Sequence, residues 1–493
     1  MFSVNKLLLN KLNTFSLIFT AKRFKYKKKW ASNRVAKPST ELALNHYDFH
    51  IGKKLADRWP SIRLALLSQP KYCAVLNNFC EDLDQYLLEL AENGGFDFVG
   101  RWKYTTSPYN GKFSLSNSQS ENNNDGNNVD DMVGEDGNYC DDNDGVKDQI
   151  ATSASRKSRL VSSKSDLHSF MPAKRILSER EKLHKLEYEQ NAMTTNNNEV
   201  INNNCYNLAI NKHNYFDIIP SSPDATLQHI PKKLKAVIYN RGDVSKFRPA
   251  KMDKKSGKLS YYLMDAASIL PTLALDLFPN CSVLDLCAAP GGKTYAMLQT
   301  MLPDTIMCLD RSYNRMVRLK DTLRLYFPRD YIESEKVKVK VADAMNFGFF
   351  HENSFDRVLA DVPCLNDRHS VTEDENNWFK SSRQAERLLL QQQQQQLLIS
   401  AVKACKPGGI IVYSTCTLSP PQNDGTVRAA IESLITDHNI EVSVMDTGPL
   451  AAAYREYFNF NENPGFCSLG QLVLPNVTAN FGPMYFCKIK RLK

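Results

Sequence analysis

Four short apolar runs, each carrying an aspartate at or near its end, set the fold of the chain's second half. They are Val283–Cys287, Thr305–Leu309, Val337–Val341 and Phe355–Ala360, with Asp285, Asp310, Asp343 and Asp361 as the acids. A further run, Ile410–Tyr413, leads into Ser414, Thr415 and Cys416. Such runs read as buried strands. Helical stretches alternate with them, which predicts an α/β class: one doubly wound, Rossmann-like sheet with helices on both faces. Strand carboxyl ends open onto the ligand crevice of such a sheet, so the row of acids predicts its rim.

Val283–Cys287 runs through Ala288–Thr294 into the helical stretch Tyr295–Met301. Glycine lets backbone approach a ligand, and a helix N-terminus offers free N–H groups. A P-loop would need glycine where Cys287 stands, which excludes it. A dinucleotide fingerprint needs three glycines, and only Gly291 and Gly292 are present; an ordinary strand–helix turn also fits this segment by itself. Asp310 decides for a cofactor. It closes the second strand 25 residues after Asp285, where an acid hydrogen-bonds a ribose diol, and Arg315 follows in the next helix. A phosphate pocket would not want so many carboxylates. An adenosine carrying a sulfonium cation would, so S-adenosyl-L-methionine is favoured over NAD or ATP. The expected cofactor-binding residues are Pro290, Gly291, Gly292, Lys293, Asp310, Arg315, Asp343 and Asp361.

Cys364, in Leu359–Cys364, and Cys416, in Ile410–Thr417, each follow a strand. Both thiols are expected to face the crevice, where cysteine is a strong nucleophile near neutral pH. Residue patterns alone do not choose between them. Cys73, Cys80, Cys281, Cys308, Cys405 and Cys487 read as small buried hydrophobes, and Cys287 reads equally as core or as cofactor lining. No cysteine or histidine spacing suits zinc, so no metal is expected, and no disulfide pattern is present. A reducing compartment fits.

Several segments agree on one family. Asp285–Thr294, Asp361–Cys364, Ser414–Thr417, Trp59–Leu67, Tyr261–Ser268, Asp367–Ser370 and Ala479–Cys487 resemble the motif set of the Nop/Sun family of RNA cytosine-C5 methyltransferases, nearest to its mitochondrial rRNA member. The resemblance covers roughly residues 30–104 and 236–493. It implies a class I S-adenosylmethionine-dependent methyltransferase sheet that methylates cytosine C5 in mitochondrial small-subunit rRNA and supports mitoribosome assembly. It further implies a covalent adduct at cytosine C6, with Cys416 as nucleophile, Cys364 as helper in product release, Asp361 at the base edge near N3, and Lys293 assisting at the cofactor or base. The implied partners are the rRNA, a helical-repeat protein of the mitochondrial transcription-termination-factor type, and a mitoribosomal small or large subunit. A non-catalytic assembly factor and a tRNA cytosine-C5 methyltransferase remain the alternatives. The family has Asn-Glu where this chain has Asn423-Asp424, which leaves the geometry of the Cys416 loop open.

Composition supplies the address and the boundaries. Ten Lys or Arg precede the first acid, Glu41. Basic, acid-poor leaders of this kind are mitochondrial transit peptides, so residues 1–30 are expected to direct the chain to the matrix. A basic RNA-binding arm or nuclear signal, through Lys27–Lys29, is the alternative. Phe15–Ala21 is too short to span a bilayer, so no membrane association is expected. Residues 40–104 read as a small helical N-terminal region, with helices at Lys71–Asn78 and Glu81–Asn93. Residues 105–232 are an Asn/Asp/Ser-rich insertion, expected to be disordered, with only Ser178–Asn191 helical. Residues 236–493 form the methyltransferase domain, entered through a turn at Tyr239–Asp243. Gln391–Gln396 lies within a helical stretch, Arg383–Cys405, and reads as its polar face. A helix over Asn423–Ile435, a strand at Glu441–Val444 and a final antiparallel edge strand, Met484–Lys490, complete the chain. Formal charge is +8 overall. Without the leader and the acidic segment 121–148 the rest is mildly basic, as an RNA-handling surface should be.

Overall fold

The computed structural model describes residues 38–101, 218–220 and 229–493. The leader, most of the insertion and the expected helix Ser178–Asn191 lie outside the described residues.

The N-terminal region is not purely helical. Helices Ser39–His50, Trp59–Leu67 and Leu83–Glu92 accompany four strands: β1 (Cys73–Leu76), β2 (Phe96–Asp97), β3 (Ala236–Ile238) and β4 (Tyr261–Met264). They form an antiparallel sheet in the order β2-β3-β1-β4, so the two sides of the insertion are hydrogen-bonded together. The expected helix at Lys71–Asn78 is therefore corrected to strand β1. A continuous apolar run has no period to separate helix from strand. Here the alternation appears only in the packing: Cys73 and Val75 enter the main core, while Ala74 and Leu76 join a small core with Tyr86, Leu90, Val237 and Tyr261. The turn at Arg241–Gly242 is present, closed by Asp243 N–H on the Asn240 carbonyl at 3.2 Å.

The larger sheet is built from β5 (Cys281–Asp285), β6 (Pro303–Asp310), β7 (Val337–Val341), β8 (Phe355–Asp361), β9 (Cys405–Thr415), β10 (Val442–Met445), β11 (Gln471–Val473) and β12 (Met484–Arg491). Its order is β10-β12-β9-β8-β5-β6-β7, with β11 also paired to β12. From β9 to β7 every pairing is parallel. Strand order reverses between β5 and β8, which places the ligand crevice outside their carboxyl ends. Period-two burial divides the sheet's two faces between two cores. Ile410 and Val412 face one core while Ile411 and Tyr413 face the other.

Two boundaries differ from expectation. β12 is antiparallel as expected, but it is not an edge: β9 flanks one side, and β10 and β11 share the other. Its residues are almost all buried, which an edge strand does not require. Ile219, inside the insertion expected to be disordered, bridges to Met445 and exchanges backbone hydrogen bonds with Val444 and Asp446 at 2.8 and 2.9 Å.

Helix Ala344–Phe350 packs closely on helix Gln384–Ala404. A side chain at Gly348 would meet the Ser400 carbonyl oxygen at 1.9 Å, so only glycine fits this contact. One guanidinium ties three distant segments together. Arg368 donates to the Ala65, Ser68 and Gly482 carbonyls and to Asn480 Oδ1, at 2.8–3.2 Å. The agreement among Trp59–Leu67, Asp367–Ser370 and Ala479–Cys487 thus has a physical basis: they meet at Arg368.

Candidate active site

The parallel register of β8 and β9 sets Asp361 beside Ser414. Cys364 lies three residues beyond Asp361 and Cys416 two beyond Ser414, so both cysteines leave adjacent strands at the same level. Their sulfur atoms are 2.9 Å apart, and the Cys416 backbone N–H points at Cys364 Sγ at 3.2 Å. Cys364 is buried and Cys416 half-buried, and both are free thiols. The hydrogen bond to Cys364, together with burial and the charge of Asp361, raises the Cys416 thiol well above its ordinary value, while Lys293 pulls the other way. Cys416 therefore rests as a thiol in this arrangement.

Asp361 is held from both sides. Lys293 Nζ donates to Oδ2 at 2.8 Å, and Ser414 Oγ donates to Oδ1 at 2.7 Å. Lys293 lies in the first turn of the helix Gly292–Gln299, so the pair links the glycine turn to the cysteine loops. Burial works against the Lys293 ammonium, but Asp361 outweighs it and leaves its pKa raised. A cation fixed by a carboxylate beside two thiols can stabilise negative charge developing nearby.

The glycine turn forms a cradle. Gly291 has φ +113°, and a side chain there would meet Leu319 Cδ1 at 2.6 Å. The exposed Pro290 precedes it, after a cis peptide bond from Ala289. Asp310 ends β6 and is buried; Oδ1 accepts from Ser312 N–H at 2.9 Å. Its Oδ2 is buried with no hydrogen-bond partner, although Arg315 Nη2 stands 3.4 Å away. Arg315 also donates to the Ala289 carbonyl, which joins the cradle to the helix Tyr313–Tyr326. Asp343 caps helix Ala344–Phe350 by accepting from Met345 N–H at 3.0 Å, and the Ala342 N–H next to it bonds the Asp310 carbonyl at 3.2 Å. Cys287 is half-buried; burial and the neighbouring Asp285, Asp310 and Asp361 push its thiol up, so it lies among the rim acids. An unsatisfied acid at the end of the second strand, a glycine that must stay bare and a ring of carboxylates fit an adenosyl sulfonium cofactor. Pro290, Gly291, Gly292, Asp310, Arg315 and Asp343 would hold it, and S-adenosyl-L-methionine supplies an electrophilic methyl when bound.

Residues absent from the expected set brace the cysteine loops. Gln394, inside the glutamine run expected to be a polar face, is fully buried. Its Nε2 donates to the Pro363 carbonyl at 2.8 Å and to Gln422 Oε1 at 3.0 Å, and Gln422 Oε1 also accepts from Leu365 N–H. That part of the run is core, not surface. Asn423 accepts from Thr415 Oγ1 at 2.6 Å and donates to the Thr417 carbonyl at 3.0 Å, gripping both sides of Cys416. Asp424 points elsewhere: it receives Ser468 N–H, Leu469 N–H and the Tyr485 hydroxyl. The departure at Asp424 thus leaves the Cys416 loop to Asn423. Gln422 and Asn423 come shortly after the Ser-Thr-Cys-Thr segment, past Leu418–Pro421, the one signal that could have marked them.

Comparison with known proteins identifies the family. The family described as 16S rRNA methyltransferase RsmB/F matches residues 272–461. The 5-cytosine rRNA methyltransferase NSUN4 of Xenopus laevis is 34% identical over 486 residues, spanning 99% of this chain and 98% of that protein. The mouse protein of the same name is 35% identical over 471 residues, 96% of this chain and 94% of its own length. A mitochondrial tRNA (cytosine(34)-C(5))-methyltransferase of Mus musculus is 37% identical over 269 residues, 54% of this chain and 72% of that protein. Identity of this order over nearly the full length of both chains shows that this protein belongs to the Nop/Sun family of 5-cytosine RNA methyltransferases.

Proposed function

We propose that this chain methylates C5 of a cytosine in mitochondrial small-subunit rRNA, with S-adenosyl-L-methionine as donor, through a covalent bond between Cys416 and the base. The observation that carries the reading is the contact of Cys364 and Cys416 at 2.9 Å beside the Lys293–Asp361 pair. Cytosine C5 is a poor nucleophile. As Cys416 Sγ bonds C6, its thiol proton passes to the N3 side of the ring beside Asp361 and C5 becomes electron-rich; C5 could then take the methyl group as the sulfonium's S–CH3 bond breaks, leaving a neutral thioether. The C5 proton then passes to solvent, the S–C6 bond breaks as the C5–C6 double bond re-forms, and the departing sulfur takes up a proton to regenerate the Cys416 thiol. This splits one hard step into easier ones. Asp361 contacts the base edge near N3, Lys293 holds Asp361 in place, and Cys364 assists release by exchanging a proton with Cys416, its contact in the resting site.

Full-length similarity to proteins named rRNA methyltransferases favours rRNA over tRNA, since the tRNA enzyme aligns with about half of the chain. Residues 1–30 act as the mitochondrial leader in this reading, and the matrix is the destination. Outside the leader and the acidic segment the chain is only mildly basic, which supports a helical-repeat partner of the mitochondrial transcription-termination-factor type as a source of RNA affinity. The modified rRNA then enters a mitoribosomal subunit.

Bisulfite mapping of mitochondrial RNA after depletion tests the substrate. One cytosine in small-subunit rRNA should lose its methylation, return with the wild-type chain and stay unmodified with Cys416→Ala. An unchanged rRNA pattern, or a loss confined to tRNA, sinks the rRNA reading. Assembly rescued by Cys416→Ala without methylation would point to the non-catalytic role. Cys364→Ala should instead accumulate a covalent protein–RNA adduct.

A further inference from the structure

Asp367 begins the short helix after the Cys364 loop and is fully buried. Its backbone N–H and both carboxylate oxygens engage the residues around Cys416 or the N-terminal helix. Its backbone N–H donates to the Cys416 carbonyl at 3.3 Å. Its Oδ2 accepts from Leu418 N–H at 2.6 Å, the Thr417 hydroxyl bonds the same carboxylate, and Oδ1 accepts from the Tyr47 hydroxyl at 2.9 Å. Tyr47 belongs to helix Ser39–His50 and is itself fully buried. A buried carboxylate is costly unless its bonds are made, and here burial pushes the carboxyl up to about 6 against the bonds from Thr417, Leu418 and Tyr47. One residue, three positions past Cys364, thus holds the Cys416 carbonyl through its backbone and the two residues that follow Cys416 through its side chain.

We propose that Asp367, oriented by Tyr47, is a positioning residue that holds Cys416 at the angle and distance needed to attack the base. The inference rests on the covalent reading above. Asp367 touches no reacting atom in this scheme. It acts through the peptide groups of Cys416 and Leu418, and the N-terminal helix becomes part of the nucleophile's support. A nucleophile must be held within about 0.5 Å of its productive geometry, and a misplacement of about 1 Å costs on the order of 100-fold in rate.

The test uses the full chain with S-adenosyl-L-methionine and small-subunit rRNA transcribed with 5-fluorocytidine, whose C5 carries no proton to lose, so the Cys416 adduct persists. Asp367→Asn keeps the shape but leaves one acceptor oxygen where there were two, so its NH2 must face a group that now donates, either the Leu418 N–H or the Tyr47 hydroxyl. It should slow adduct formation on the order of 100-fold per cofactor-binding site, with cofactor affinity near wild type. That pattern differs from Cys364→Ala, which should still form adduct and fail to release it from ordinary RNA. Tyr47→Phe, which removes one hydroxyl, should slow adduct formation several-fold, and it decides the matter if Asp367→Asn does not fold. Adduct formation at the wild-type rate in a folded Asp367→Asn, or in Tyr47→Phe where Asp367→Asn fails to fold, overturns the positioning role. A wild-type enzyme that methylates ordinary RNA yet leaves no adduct on the fluorinated RNA overturns the covalent reading and this inference with it.

Discussion

The Ser414 hydroxyl donates to Asp361 Oδ1 at 2.7 Å across the parallel ladder that pairs the two residues. Lys293 occupies the other carboxylate oxygen, so Asp361 has no freedom to rotate within the site. Ser414→Ala removes one of its two anchors. A hydrogen bond to a charged group contributes about 1.5–3 kcal/mol, so single-turnover methylation should fall by roughly 10- to 100-fold, with cofactor affinity nearly unchanged. Methylation at the wild-type rate would mean that Lys293 alone orients Asp361.

Much of this site was legible because its residues directly follow apolar strands. Cys364, Cys416, Asp310 and Asp361 each close a run whose burial the composition announces, and a parallel sheet brings such ends together. What escaped was set by tertiary contact. β1 looked helical because Cys73–Leu76 is apolar throughout and carries no period. Gln394 looked like surface because its neighbours in the run are also glutamines, and only the approach of Pro363 and Gln422 makes that one position interior. Asp367 stands in the motif segment Asp367–Ser370, but nothing local marks its role, since its partners are Tyr47, about 320 residues upstream, and the peptide groups beyond Cys416.

Gly291 and Gly292 are adjacent in sequence but unequal in tolerance. Gly291 combines φ +113° with Leu319 Cδ1 only 2.6 Å from where a Cβ would stand. For Gly292 the nearest atom is Tyr262 Cε1 at 3.4 Å, an ordinary contact, and its φ is not in the left-handed region. A non-glycine residue in such a strained conformation costs about 1–3 kcal/mol before the clash is counted. Gly291→Ala should therefore weaken S-adenosyl-L-methionine binding at least about 10-fold, while Gly292→Ala stays within a few-fold of wild type. Isothermal titration of both variants checks this; equal losses would count against the cradle as described.

The glutamine run offers an internal control. Gln394→Ala deletes the amide that joins the Pro363 carbonyl to Gln422 and opens a small void, at about 2–3 kcal/mol. Gln392→Ala, two residues away and exposed, should change stability by no more than about 0.5 kcal/mol. Urea unfolding of the two variants separates buried from surface glutamine. In the Gln394 variant turnover should fall more than the folded fraction does, because the Cys364 loop loses its brace. Equal stability of the two variants would return the whole run to the surface.

Asp285 makes stability depend on pH in a direction opposite to that of a salt-bridged acid. It is 1% exposed, the Thr294 hydroxyl reaches Oδ2 at 2.7 Å, and Oδ1 has no partner. Burial pushes its carboxyl up to about 7. Between about 4 and 7 the folded chain holds this proton while the unfolded chain has released it, so the group's contribution to stability falls as pH rises through that window. The full deficit, on the order of 4 kcal/mol, is present above about pH 7 and vanishes below about pH 4. Asp285→Asn fixes the neutral form, so the variant's stability relative to wild type should rise steadily from about pH 4 to about pH 8. Urea unfolding across that range checks the slope, and a difference that stays flat or narrows with rising pH would show that Asp285 is ionised and otherwise compensated in the folded chain.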